Sequence, residues 1–268
     1  MNLQHIRVIA RYELGQSLLS TRGILFLVTY GIVWFWLLWK LTSGWASNLA
    51  DQQGQVVASW LLDPTLARVL FLDHPPTLGL FFLILMSLIP VFTMWGAGDQ
   101  TATDIGTRHL RFLIHLCGRS EIYLGRFLGA LILMLVLHVI VVAAGMCVSV
   151  LAYSADGVLP WGMQVMLVSI LYTIPYVALM SLFGAVMGSA AGAILSAIAA
   201  YASFLMAAGF LSLKWPAAAY IGYLFPVPLK PLLLTGHGAA FMVALLSLLA
   251  YSACYFLAGW ALFLRRDI

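Results

Sequence analysis

The stretch Asp99–Arg126, DQTATDIGTRHLRFLIHLCGRSEIYLGR, is a polar, arginine-bearing segment between two long apolar runs. Its neighbours decide what it can be. Across the chain 63% of residues are hydrophobic and 8% are charged, against roughly 25% charged in an ordinary globular domain. So few charges cannot cover a water-soluble domain of this length, so the chain reads as an all-α integral membrane protein. In such a chain, charge gathered in one internal loop marks a docking surface for a soluble partner.

Six apolar runs reach the roughly 20 residues that a helix needs to cross a bilayer. They lie at Ile24–Leu41, Leu78–Ala97, Phe127–Tyr153, Met163–Met187, Ala190–Leu213 and Ala239–Leu264, within a single transmembrane domain, 1–268. The runs are continuous rather than alternating, which argues against strands. Lys/Arg bias sets the orientation. With both termini in the cytosol, the inside carries Arg7, Arg11, Arg22, Arg108, Arg111, Arg119, Arg126, Arg265 and Arg266, and the outside only Lys40, Arg68, Lys214 and Lys230. The expected location is an inner (plasma) membrane. Trp39, Trp45, Trp161 and Trp215 fall near outer span ends, where indole rings favour the interface.

Residues 1–22 precede the first span. Leu3, Ile6, Ala10, Leu14 and Leu18 recur at helical spacing, with Arg7, Arg11 and Gln16 off the stripe, predicting an amphipathic helix on the inner surface. A cleaved signal peptide is the rival, though its apolar region would be shorter. The outer segment Thr42–Thr77 mixes apolar residues with Asp51, Asp63 and Asp73 and predicts short interfacial helices. Lys214–Gly238 is broken by Pro216, Pro226, Pro228 and Pro231 and predicts short outer or re-entrant helices. Pro90 and Pro175 lie inside spans two and four and are expected to kink them. Gly184, Gly188 and Gly192 fit a tight hairpin between spans four and five, with a helix-dimer contact as the alternative.

Several chemistries lack a signature. No predicted span interior carries Asp, Glu, Lys or Arg, the groups that ion-coupled carriers place at mid-membrane. His138 is the one candidate intramembrane titrating group, for a proton relay or as a packed residue. His109, His115 and Cys117 lack metal-ligand spacing on a helix, and Asp73 with His74 is no better. Cys117, Cys147 and Cys254 form no disulfide framework and read as small buried hydrophobes. No phosphate-cradling loop, nucleophile elbow or zinc-protease motif is present. The net charge of +4 follows the loops and does not point to nucleic acid. No catalytic, cofactor-binding or metal residue is assigned.

Within the polar stretch, a helix over Asp104–Cys117 would place Ile105, His109, Phe112, Leu113 and Leu116 on one face and Arg108, Arg111 and His115 on another. Asp104 would pair with Arg108 at i,i+4. Gly118 would end the helix in a left-handed cap, and Ser120 would cap the next, with Glu121 in its first turn. An ordinary solvated loop obeying the positive-inside rule is the other reading. If the helix is a lever, a partner that moves it moves spans two and three.

On these residues the chain resembles the permeases of ABC-2 type ABC transporters. The resemblance rests on Asp104, Gly106–Thr107, Leu110, Leu113, Leu116, Arg119–Ser120–Glu121–Ile122 and Gly125–Arg126, about thirty residues. The overall order of elements is also similar, particularly to gliding-motility and nitrous-oxide-reductase-maturation permeases. Family members often carry a Glu-rich pair before Gly-Thr and a Pro before the Arg turn, where this chain has only Asp104 and Cys117–Gly118. The resemblance implies an elbow helix bearing Arg7, Arg11 and Glu13, and a cytosolic coupling loop, 98–126. Within that loop it implies that Asp104, Gly106, Thr107, Arg108, Arg111, Phe112, Arg119 and Glu121 meet the ATPase. It further implies a dimer with a second permease copy, paired with two cytosolic ATPase subunits that bind ATP and Mg; this chain binds neither and is not itself an enzyme. The substrate path would lie at the dimer interface, largely along spans two and five. An ATP-independent secondary transporter or channel is the principal alternative; a lipid-modifying enzyme and a non-transporting assembly or signalling subunit are weaker ones.

Overall fold

A computed structural model describes residues 2–43, 64–107, 110–152, 155–235 and 238–266. The described residues form helices and turns with no strand. Helix α1, Leu3–Leu19, is followed directly by α2, Thr21–Thr42; Ser20 separates them, and its hydroxyl accepts the Gly23 amide at 3.1 Å. Then come α3 (Pro64–Phe71), α4 (Pro76–Gly96), α5 (Ala102–Gly106), α6 (Leu110–Leu116), α7 (Arg119–Ala152), α8 (Ala155–Val186) and α9 (Ala190–Ser212). Two short 3₁₀ segments, Pro216–Leu224 and Val227–Leu229, lead into α10 (Lys230–Thr235) and α11 (Gly238–Arg265).

Helices α2, α4, α7, α8, α9 and α11 are long and apolar enough to cross a membrane. Helices α4 and α8 form the inside of the bundle. Phe81, Phe82, Leu85, Met86 and Ile89 of α4 and Tyr172, Tyr176, Val177 and Met180 of α8 are all buried. Helix α8 packs on α11, α7, α4 and α9. By contrast α2, α9 and α11 leave broad apolar faces uncovered, among them Phe35, Trp36, Leu195, Phe210, Leu246 and Leu257. A hydrocarbon solvent makes such faces costless, because lipid tails are as apolar as leucine.

Span ends differ from the sequence reading at two places. Helix α7 begins at Arg119, ahead of the expected Phe127, and α8 begins at Ala155, ahead of Met163. Pro160 lies early in α8 with Pro175 further along it, and Pro90 lies inside α4. The tight turn expected between spans four and five is present: α8 stops at Val186, and the Ser189 hydroxyl caps α9 by accepting the Gly192 amide at 3.1 Å. Part of the first outer segment, 44–63, and Trp45 with it, lies outside the described residues. Trp161, expected near an outer span end, packs against protein. It is buried, stacked on His74 at 4.2 Å and edge-on to Phe82. Cys147 and Cys254 are exposed rather than buried in a core, and Cys117 is partly exposed.

Helix α1 docks along the start of α7 rather than lying apart. Its packed face is Ile6, Ala10 and Glu13, while Leu3 and Leu18, expected on the apolar stripe, are exposed; Arg7 and Arg11 are exposed as expected. The reason is a groove of two glycines on α7. A Cβ at Gly125 would meet the Ile9 side chain at 2.8 Å, and one at Gly129 would meet Glu13 Cβ at 2.6 Å and the Ala10 carbonyl at 2.8 Å. We expect Gly129→Ala to loosen α1 and to cost about 1–3 kcal/mol by overpacking. Gly209→Ala, where a Cβ meets nothing within 4 Å, should be neutral or slightly stabilising. Thermal unfolding of the detergent-solubilised chain compares the two.

Candidate functional site: a buried charge joint beneath the polar stretch

Where α1, α5 and α7 meet, the Arg126 guanidinium is 4% exposed. One terminal nitrogen donates to Glu13 Oε2 of α1 and the other to Asp104 Oδ2 of α5. Gln16 Oε1 lies 3.4 Å from the Glu13-facing nitrogen, and the guanidinium sits 5.4 Å from the centroid of the Tyr12 ring. The guanidinium fork suits two carboxylates at once. One arginine thereby bonds three elements that are remote in sequence.

The cluster holds two carboxylates and one guanidinium, so full ionisation would leave a buried negative charge. Burial pushes the Glu13 carboxyl up to about 7, and the neighbouring Asp99 and Asp104 carboxylates add to the rise, against the pull of Arg126. A cavity of about 150 Å³ adjoins the cluster, lined among others by Gln16, Ser20, Arg22, Asp99, Gln100 and Arg126. It has room for several waters at about 30 Å³ each. Arg22 and Asp99 face each other across it at 3.8 Å.

The polar stretch differs from the single expected helix. Helix α5 stops at Gly106, and the Thr107 backbone N–H returns to the Thr103 carbonyl at 2.9 Å. A Cβ at Gly106 would stand 1.9 Å from the Gly188 carbonyl oxygen. The glycine therefore lets α5 rest on the turn between α8 and α9, and it is also a poor helix interior residue. Asp104 pairs with Arg126; Arg108, the expected partner, and His109 lie outside the described residues. The break also turns α6. Leu110 is its buried anchor, packed with Ile122, Tyr123, Ala185 and Phe263, whereas Phe112 and Leu116, expected on the apolar face, are 72% and 73% exposed. Arg111 is exposed as well.

The next turn is also built differently. Gly118 does not adopt positive φ, which among the described residues belongs to Gly238 alone. Gly118 instead opens α7, its carbonyl accepting the Glu121 and Ile122 amides at 2.9 and 3.1 Å. Ser120 does not cap; its hydroxyl accepts the Trp260 indole N–H at 3.2 Å. The Glu121 carboxylate accepts the Asn2 and Gly118 amides and bonds His5 Nδ1 at 2.8 Å.

Arginines close the remaining helix ends. Arg119 donates to the Leu264 and Arg266 carbonyls at 2.9 Å each, at the end of α11. Arg266 in turn donates to the Ala185 and Val186 carbonyls at 2.5 and 2.7 Å, at the end of α8. Cations at helix C-termini satisfy orphan carbonyls and oppose the negative dipole end.

His138 is buried within α7. Its Nδ1 lies 2.7 Å from the Met134 carbonyl, and its ring meets the edge of Tyr30. Among the described residues no hydrogen-bond partner reaches Nε2. No family model matches the chain, and no curated protein matches it either.

Sequence reasoning missed the Glu13–Arg126 pair because its members are 113 residues apart, with the first two spans and most of the polar stretch between them. The available signal was the Gly125–Gly129 spacing beside Arg126, which makes a groove for a helix with an acid facing inward. Removing the arginine with Arg126→Leu strands two buried carboxylates and should cost about 3–5 kcal/mol. Glu13→Gln tests the proton. A carboxyl held near 7 when folded contributes stability that is fully present below its unfolded value near 4.5 and is lost as pH rises through 7. The melting temperature of Glu13→Gln should therefore rise relative to the native chain between pH 5 and 8; no relative change would contradict the shift.

Proposed function

We propose that this chain is the membrane-spanning permease subunit of an ATP-binding-cassette exporter of the ABC-2 type, driven by separate cytosolic ATPase subunits. The observation that carries the reading is the Glu13–Arg126–Asp104 joint. A coupling device must pass a push on a small surface element to long helices without dissipating it in loop motion. Here α5 is tied to the third span through Asp104 and Arg126, and Arg126 is tied to α1 through Glu13. The same short helix rests on the hinge between spans four and five at Gly188. A displacement of α5 thus reaches spans three, four and five directly.

In this reading the basic end, with both termini, faces the cytosol of a cell whose inner membrane holds the protein. The exposed face of α6, with Arg111, Phe112 and Leu116, is the surface that a soluble partner meets. ATP and Mg bind in two partner ATPases, whose closure pushes on 98–126 and biases the spans between two arrangements. A second permease copy completes the pathway, and the uncovered faces of α2, α9 and α11 are available to it and to lipid.

Gentle-detergent purification of the tagged chain from its native cells tests the assignment. A soluble nucleotide-binding protein should accompany it in a one-to-one ratio. Arg111→Glu should insert normally yet lose partner-dependent ATP hydrolysis. A chain that purifies alone and moves solute without ATP belongs to the carrier or channel class instead.

A further inference from the structure

The contacts around Glu121 bring together three groups of metal-ligand type from different parts of the chain. His5 comes from the first turns of α1, Cys117 from the turn between α6 and α7, and Glu121 from the first turn of α7. One ligand atom from each, an imidazole nitrogen, a thiol sulfur and a carboxylate oxygen, all lie within 4.8 Å of one another. We propose that His5, Cys117 and Glu121 form a binding site for a borderline-soft divalent transition metal of the Zn²⁺ type.

The ligand set suits that ion. Zn²⁺ takes thiolate sulfur at about 2.3 Å, imidazole nitrogen at about 2.0–2.1 Å and carboxylate oxygen at about 2.0–2.2 Å, commonly as three protein ligands with one open position. The His5 Nδ1–Glu121 Oε2 separation of 2.8 Å is that of a hydrogen bond. Bound metal takes the place of the proton between them, needing an opening of about half an ångström to reach the ligand spacing of a tetrahedral site. Binding releases the Cys117 thiol proton and puts the His5 ring proton on Nε2, which exchanges its 3.3 Å contact with the Asn2 side-chain amide nitrogen for solvent, on a side chain that is 40% exposed.

The carboxylate is also oriented in advance. The Asn2 and Gly118 amides donate to Glu121, the kind of outer contact that fixes a metal-ligating carboxylate. Cys147 and Cys254 have no such neighbours among the described residues, which makes Cys117 the distinctive thiol. The site joins the start of α1 to the end of α6. Metal there staples the polar loop to α1 at a second point besides the Arg126 joint. The proposal does not depend on the transporter reading, and its test needs no partner.

The experiment titrates the full chain, purified in detergent without a metal-binding tag, with Co²⁺ as a spectroscopic substitute for Zn²⁺. A thiolate-to-cobalt charge-transfer band should appear in the near ultraviolet and be removed by added Zn²⁺. Cys117→Ser should abolish the band, and His5→Ala should weaken binding more than about tenfold, while Cys147→Ser and Cys254→Ser leave it intact. In the unsubstituted chain Zn²⁺ should slow alkylation of Cys117 and leave Cys147 and Cys254 at their own rates, a measurement independent of any variant's folding. Absence of the band, its persistence in Cys117→Ser, or alkylation of Cys117 indifferent to Zn²⁺ overturns the site.

Discussion

A buried guanidinium in a chain this apolar must be matched, and that constraint organises the basic end of the molecule. Arg126 stands near the start of a 34-residue helix, below the reach of bulk water. An unpaired ion there would carry a desolvation penalty of several kcal/mol even after relaxation. Two carboxylates meet it, and both come from outside the spans: Glu13 from α1 and Asp104 from the loop helix. Neither partner is local, so satisfying one charge fixes two helix placements. Gly125 and Gly129 allow the approach on one side, and Gly106 against Gly188 allows it on the other. Charge and close packing therefore specify one joint.

Elsewhere among the described residues the long helices carry only scattered polar links between elements, such as Gln100 to the Val177 carbonyl and Tyr251 to the Tyr223 carbonyl. Most hydroxyls in the long helices turn back on their own backbone, as Ser87, Ser149, Thr173 and Ser252 do. Tyr172 and Tyr176 bond each other at 2.9 Å in the buried centre of α8. Tyr123 crosses from α7 to Ser181 of α8 at 2.8 Å. Between the ends, cohesion comes from side-chain packing around α4 and α8, while α2, α9 and α11 present apolar faces outward.

Much of this architecture was legible in the sequence, for physical reasons. Long uninterrupted apolar runs can only be helices in hydrocarbon, where every backbone group must find its partner locally. The six spans, the helix at residues 3–19 and the proline-broken segment before the last span follow from that. The joint was half legible. Asp104 and Arg126 stood out within the polar stretch, but their pairing with each other and with Glu13 did not, because helical spacing ranks only neighbours three or four residues away. It offered Arg108, which lies outside the described residues, and could not reach Arg126 on α7. Likewise the apolar periodicity of the loop was averaged across a break at Gly106. The averaged pattern put Phe112 and Leu116 on the apolar face, while the folded chain buries Leu110 and leaves those two exposed. Cys117 was set beside His109 and His115 by proximity in sequence, whereas its neighbours in space are His5 and Glu121.

The central claim is that the Arg126 ion cluster holds α1 and the loop helices in one fixed arrangement. It is tested most directly by electron–electron double resonance between spin labels at the exposed positions Arg11→Cys and Arg111→Cys, with Cys117, Cys147 and Cys254 replaced by serine. The native joint predicts a single narrow distance distribution that becomes broad when Arg126→Leu is added. A distribution that stays equally narrow without the arginine would mean that packing alone sets the arrangement and would contradict the account.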